Sequence, residues 1–335
     1  MSQASSARVG RSRGRRFWGV VIYELLWNLR KKKLIGMVII AFALATLSLA
    51  LPTLLGGLTG ESSVRNPQYV IEGASIGGLG FFLFGLVTAM NSMSSEFEGG
   101  TIIPLLTKPV SRTVIFLGKL TGAFLTLVPV YVLLFIYQVI GGTLVYGPQS
   151  DLNLVVFVLL GSLLSTTVWI AIVFALGSIS RSTLLTALVA FGVFVGLSIV
   201  GTTVASFSGQ QWVLTYLPGS GATGYTNLTA TTSINVTQQG INGTSGATGL
   251  GISVSSGTDS IGATLATLVL HPSASVTFFR QVIQIGASGV TTTMVPTYTE
   301  PLWFVAAEAI LIAAAYVFAF CILSWFFFRR AEVTE

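Results

Sequence analysis

Six apolar blocks set the terms on which this chain can fold, at roughly 34–52, 71–93, 115–146, 152–177, 183–206 and 301–328. A helix needs about 20 apolar residues to cross the hydrocarbon core of a bilayer, and each block is of that order or longer. The rest of the composition offers no way to keep such blocks in water. Only 8% of the residues are charged and the mean hydropathy is +0.82, whereas a soluble domain carries about a quarter charged residues. The blocks lack the alternation of a membrane barrel strand, so they read as helices, with every backbone polar group satisfied internally. The expected fold class is therefore an all-α membrane protein with six transmembrane helices. The third block is the longest and holds Pro129, which predicts a tilt or a break there.

Basic residues set the expected orientation. Fifteen of the 17 Lys and Arg residues fall before the first span, in the loops after the second and fourth spans, or in the C-terminal tail. Arg65 and Arg280 are the two elsewhere. The positive-inside rule then predicts a multi-pass protein of the cell membrane with both termini cytoplasmic. The net charge of +6 is accounted for by anchoring at an anionic inner leaflet, and no nucleic-acid module accompanies it.

The expected organisation is a cytoplasmic tail with an amphipathic interfacial helix (1–33), five helices (34–206), an extracytoplasmic segment (207–299), a sixth helix (300–328) and a short cytoplasmic tail (329–335). In the first part, Val20, Tyr23, Leu26, Trp27 and Leu29 recur at helical spacing beside Arg30–Lys33. That pattern suits a helix lying in the headgroup region, or else an extension of the first span into the cytosol. The 207–299 segment is rich in Gly, Ser, Thr and Asn. Alternation at Ser233–Thr237 and Ile252–Ser255 predicts short strands, and Ile261, Leu265, Leu268, Val269, Val276, Phe279, Val282 and Ile283 predict helical pieces broken at Pro272. Asn227, Asn235 and Asn242 each complete an N-glycosylation triplet, which independently favours an outer location for the segment.

Catalytic chemistry finds little to work with. Cys321 is the one cysteine and His271 the one histidine. A disulfide, a histidine-based zinc site and a Cys/His dyad are thereby excluded. His271 reads most simply as a polar residue beside Pro272. No phosphate-binding glycine loop ending in Gly-Lys-Ser/Thr occurs, and with a single histidine and a single cysteine no catalytic residue, metal site or cofactor is expected in this chain.

The connection after the second span carries the most specific signal. It runs from Ser94 through Glu96, Glu98, Gly99, Gly100, Thr101, Leu105, Leu106, Pro109, Ser111 and Arg112, and returns toward the membrane through Gly118 and Lys119. Glu96 and Glu98 open a polar turn, and the glycine pair permits a sharp change of direction. Thr101 can cap a short helix with Pro104 in its first turn and Ile102, Ile103, Leu105 and Leu106 as its apolar residues. A short apolar helix projecting from a membrane domain needs something to dock against.

At this point the sequence resembles the permease subunits of ABC-2 type transporters, and more narrowly those of the copper-enzyme-maturation kind. Those proteins carry E-x-x-x-G-T-x-x-x-L-L-x-x-P-x-S-R followed by G-K, and Glu96, Gly100, Thr101, Leu105, Leu106, Pro109, Ser111, Arg112, Gly118 and Lys119 stand at those places. The long Gly/Ser/Thr-rich outer segment departs from compact members. The resemblance implies that 94–114 is a coupling segment seated in a cytoplasmic ABC ATPase, with ATP and magnesium bound on that partner. It also implies an exporter built from two permease subunits, here expected as a homodimer.

Two further positions are candidates. Arg181, in the loop after the fourth span, is a second ATPase contact or a plain turn residue. Glu308, within the last span, either lines a translocation path or is an outer-interface carboxylate near Trp303 and Glu300. A membrane-embedded sensor or assembly scaffold, using the outer segment to bind a partner, is the alternative function. An ion-coupled secondary transporter is disfavoured by the scarcity of intramembrane charge and the lack of an inverted repeat.

Overall fold

A computed structural model describes residues 3–30, 33–59, 67–72, 77–98, 111–227, 253–286 and 289–330. Its helices are α1 (Gln3–Arg30), α2 (Lys33–Thr59), α3 (Tyr69–Glu72), α4 (Gly77–Glu98), α5 (Arg112–Tyr146), α6 (Val155–Ser180), α7 (Thr183–Ser208), α8 (Ile261–Leu270) and α9 (Leu302–Arg330). The six apolar blocks correspond to α2, α4, α5, α6, α7 and α9. The spans Arg112–Tyr146, Leu152–Ser180, Thr183–Ser208 and Leu302–Arg330 are long and apolar enough to cross a membrane. In α2 and α4 the strongly apolar stretch is shorter, Ile35–Leu51 and Gly77–Met90. The chain is a multi-pass membrane protein.

Two of the expected spans differ in detail. The second does not start as a helix at residue 71 and run on: one turn, α3, ends at Glu72, and α4 begins at Gly77, whose φ of +68° suits glycine. The third runs unbroken from Arg112 to Tyr146 with Pro129 inside it. Pro129 cannot donate to the carbonyl four residues back, yet Leu127, Val130 and Tyr131 beside it are all buried and hold the helix in place.

The centre of the bundle is α6. Every residue from Val168 to Ala175 is buried, as expected of a helix surrounded by others. α4 and α9 flank it along much of its length, with α5, α7 and α8 completing the ring. Trp169 packs edge-on against Phe82 (5.2 Å between ring centroids) and Phe194 (5.4 Å), and Phe82 stacks on Phe194 at 4.5 Å. The outer helices have the reverse pattern. Leu188 and Val200 on α7 and Leu311 and Phe318 on α9 are exposed. A belt of exposed apolar side chains around a packed interior is what lipid contact requires and water would penalise.

At one end of the bundle, residues between α7 and α9 form a four-stranded antiparallel sheet in the order β2-β1-β3-β4, from β1 (Thr223–Thr226), β2 (Ser253–Ser255), β3 (Ser275–Gly286) and β4 (Gly289–Pro301). The expected strand near 252–255 is present as β2, and the helical piece at 261–270 as α8. The expected helix through Val276, Phe279, Val282 and Ile283 is instead β3, because that stretch pairs along its whole length with β4. Cross-strand contacts of β-branched and aromatic residues outweigh the weak helical spacing. Phe278 stacks on Tyr298 at 4.7 Å. The register slips between Phe278 and Phe279, leaving Thr297 unopposed next to Pro296, which has no N–H to offer the ladder. Ser233–Thr237 lies outside the described residues.

The sheet end is fastened to the bundle. Val254, Val276, Phe278, Leu302 and Val305 form a second apolar core with Ala205 and Leu214. Closer to the centre, α8 meets α6 backbone to backbone. A Cβ on Gly161 would lie 2.2 Å from the nitrogen of Gly262, and one on Gly262 would lie 2.6 Å from the Val158 carbonyl. Gly161→Ala should therefore lower stability by about 1–3 kcal/mol, read as a reduced unfolding midpoint of the detergent-solubilised protein. Gly192→Ala, with nothing within 4 Å, should not lower it.

Candidate functional site

The 94–114 segment departs from the end of α4 and returns at the start of α5, so the geometry of those two helix ends defines the candidate site. Glu96 lies in the last turn of α4. Gly100, Thr101, Leu105, Leu106 and Pro109 lie outside the described residues. Ser111 is the N-cap of α5, with φ −66° and ψ 142°, and its side chain accepts from the Val114 N–H at 3.4 Å. The next residue, Arg112, donates to the Arg329 carbonyl at 2.7 Å. A guanidinium is thus placed at the C-terminal end of α9, where helix carbonyls lack partners and the dipole favours a cation.

On the α4 side, two residues one turn apart tie the helix to α7. The Glu98 carboxylate accepts from the Thr183 N–H at 3.0 Å and from the Thr183 hydroxyl. It thereby caps the first turn of α7, the other arm of the loop that contains Arg181. Those two bonds hold the Glu98 carboxyl below its ordinary range. Since the shift is downward, the tie is present above the ordinary carboxylate range and is lost as pH falls through the lowered value. A turn earlier, Ser94 shares a hydrogen bond with Thr186 at 2.9 Å, and Thr186 shares another with Ser180 at 2.6 Å. Arg181 itself takes the left-handed conformation that ends α6, with φ 55° and its N–H bonded to the Gly177 carbonyl at 3.2 Å.

Two turns into α5, Lys119 is buried and not at the mouth of a loop. Its Nζ lies 3.2 Å from the Glu24 carboxylate and donates to the Ser92 carbonyl at 3.1 Å. The Ser92 hydroxyl donates to the other Glu24 oxygen. One ammonium, one carboxylate and one serine therefore join α1, α5 and α4. Close approach of α1 to α5 is allowed by Gly118 and Gly122, where a Cβ would lie 2.7 Å from Val20 and 2.8 Å from Glu24. Four residues along α1 from Glu24, the Asn28 amide donates to Thr126 at 3.2 Å.

This contact defines the two faces of α1. Val21, Glu24 and Asn28 point inward, while Trp18, Ile22, Tyr23 and Leu26 are exposed. The inward face is the polar one, which agrees with a helix whose apolar side meets lipid. Glu24, Ser92 and Thr186 were not among the residues singled out in the sequence. The available signal was the Gly118–Gly122 spacing beside Lys119, together with an acidic residue inside an otherwise basic N-terminal stretch.

At the sheet end, Glu308 of α9 accepts from the Tyr216 hydroxyl at 2.8 Å, and Tyr316 donates to the Tyr216 carbonyl at 2.9 Å. Glu308 is thus bonded to a residue of the 207–299 segment. Asn227 is exposed at the end of β1, and its amide donates to Ser275 at 3.2 Å. Asn235 and Asn242 lie outside the described residues. No cluster of three His, Cys, Asp or Glu side chains able to hold a metal occurs among the described residues.

The buried pair sets an energetic expectation. Removing one member leaves the other charged group without its partner in a low-dielectric interior, at about 3–5 kcal/mol. Glu24→Gln or Lys119→Met alone should lower the unfolding midpoint markedly. The double variant should recover much of the loss in a double-mutant cycle measured in nanodiscs. Additive losses would contradict the pairing.

A sequence model described as "ABC-2 family transporter protein" matches residues 13–333 of the chain. The match extends across α1 and every long helix as well as the sheet, and it does not distinguish a copper-enzyme-maturation subgroup. A search of curated proteins finds no match.

Proposed function

The chain belongs to the ABC-2 family of transporter proteins, and from that premise we propose that it is the transmembrane permease subunit of an exporter driven by separate ATPase subunits. Members of this family are membrane components that work with such subunits and carry no ATPase site of their own. In the proposal, the six long helices cross the cell membrane with both termini cytoplasmic. Residues 94–114 form the coupling segment. ATP and magnesium bind on the partner, and two copies of the chain make the transport unit.

The observation that carries the reading is the anchoring on both sides of residues 99–110. Glu98 and Ser94 engage α7, Arg112 engages α9, and Lys119 engages α1 and α4. A push delivered to the end of α4 and the start of α5 would be passed through these contacts to α1, α7 and α9. Binding can drive a change of state only through its difference in affinity for the two states. The Glu98–Thr183 contact also sets the Arg181 loop beside the coupling segment, which supports Arg181 as a second ATPase contact. Glu308 pairs with Tyr216, which supports its role as a carboxylate at the outer interface. Glu308→Gln should accordingly leave transport unchanged, and a loss of transport with intact folding would place it on the path.

Purification from native membranes in mild detergent, with mass spectrometry and an ATP-hydrolysis assay, tests the central claim. A stoichiometric ATPase should co-purify. Glu96→Lys and Arg112→Glu should reduce membrane-dependent ATP hydrolysis toward the rate of the free ATPase while the chain still folds. An intact complex with no ATPase would transfer the function to the sheet-bearing segment, as a sensor or scaffold.

A further inference from the structure

We propose that the turn 256–260, between β2 and α8, is a protonation-sensitive latch. With Asp259 neutral it fastens the sheet-bearing segment to the outer end of α4, and with Asp259 ionised that grip is weakened. The inference does not depend on an ATPase partner.

The turn is driven deep among the helices. Ser165 of α6 donates to the Thr258 carbonyl, and the next residue, Asp259, sits at the N-terminal end of α4. A Cβ on Gly78 would lie 2.2 Å from Asp259 Oδ2 and 3.0 Å from the Gly219 carbonyl, so only glycine fits between the helix and the turn. Gly219 is itself held against Trp169, whose indole N–H has no partner among the described residues. The carboxyl of Asp259 receives the Gly219 N–H at 3.2 Å and the Thr258 hydroxyl at 3.4 Å, both on Oδ1. No cation faces it among the described residues.

Two effects oppose each other here. The N-terminus of α4 favours an anion, whereas removal from water disfavours one. The backbone bond to the carboxylate comes from Gly219. Desolvation therefore dominates and pushes the Asp259 carboxyl from 3.8 up to about 7, although part of the residue is still reached by solvent. Among the described residues, Tyr131 of α5 is hydrogen-bonded to Thr166, and Tyr298 of β4 is bonded to Thr215, which shares a hydrogen bond with Ser256 of the turn. Tyr216, on the stretch leading to Gly219, is bonded to Glu308.

The sign follows from linkage. A carboxyl whose value is raised on docking stabilises the docked form fully below its free value, and the contribution is lost as pH rises through the docked value. Docking should weaken roughly tenfold per pH unit between about 5 and 7 and level off above that.

Hydrogen exchange of the full-length protein in nanodiscs, corrected for intrinsic rates, reads this directly at 253–262 and at the first turns of α4. The wild type should lose protection in that window. Asp259→Asn, which keeps the shape and the Oδ1 acceptor, should be protected alike at pH 5 and pH 8. Ser165→Ala should be less protected at both values, with the wild-type slope retained. A flat wild-type profile, a slope surviving in Asp259→Asn, or stronger protection at high pH would each overturn the proposal. The wild-type profile decides by itself if Asp259→Asn does not fold.

Discussion

The ion pair of Lys119 with Glu24 is the contact on which the arrangement of the non-sheet end depends. An ammonium two turns into a transmembrane helix is tolerable only with its charge matched and its protons used. The structure meets that demand with a carboxylate from α1 and the Ser92 carbonyl of α4. The pair could not form unless α1 lay close along α5, and Gly118 and Gly122 make that approach possible. The N-terminal helix is consequently part of the framework. It presents its polar face to the bundle and leaves Trp18, Ile22 and Tyr23 outward.

The same reasoning singles out α4. Its strongly apolar stretch, Gly77–Met90, is short, and its last turns carry Ser92, bonded to α1, and Ser94 and Glu98, bonded to α7. Its other end abuts the Asp259 turn. Apolar packing is non-directional and tolerates sliding, whereas hydrogen bonds to particular partners fix a position along the helix axis. A helix fixed by polar contacts at one end and packed on the Asp259 turn at the other is suited to carry displacement between them, because hydrogen bonds to particular partners have alternative states in a way that packed Leu and Val do not.

Much of this architecture was legible in the sequence because hydrophobicity acts over contiguous stretches. The six blocks correspond to the helices α2, α4, α5, α6, α7 and α9, and α5 starts at Ser111–Arg112, where the sequence placed the return toward the membrane. What escaped were features made by residues far apart in the chain. Glu24 and Lys119 are 95 positions apart, and nothing local says that they meet. Strand β3 was misread because Val276, Phe279, Val282 and Ile283 have a spacing compatible with a helix. The deciding fact is the presence of a partner, β4, whose Thr-rich alternation makes a long hairpin. Pro129 predicted a tilt or a break, yet α5 runs through it unbroken, with Leu127, Val130 and Tyr131 beside it buried in the bundle. The resemblance rested on 96–119, and the family match from 13 to 333 extends it across the chain.

The central claim is that the segment joining α4 to α5 is where a cytoplasmic ATPase takes hold. Site-directed photo-crosslinking from Leu105 and Leu106 in native membranes tests it most directly, with Phe318, an exposed apolar position on α9, as the control site. The account predicts that both segment positions capture a nucleotide-binding ATPase subunit and that Phe318 does not. Adducts to lipid alone from Leu105 and Leu106, in membranes where the folded protein is present, would contradict it.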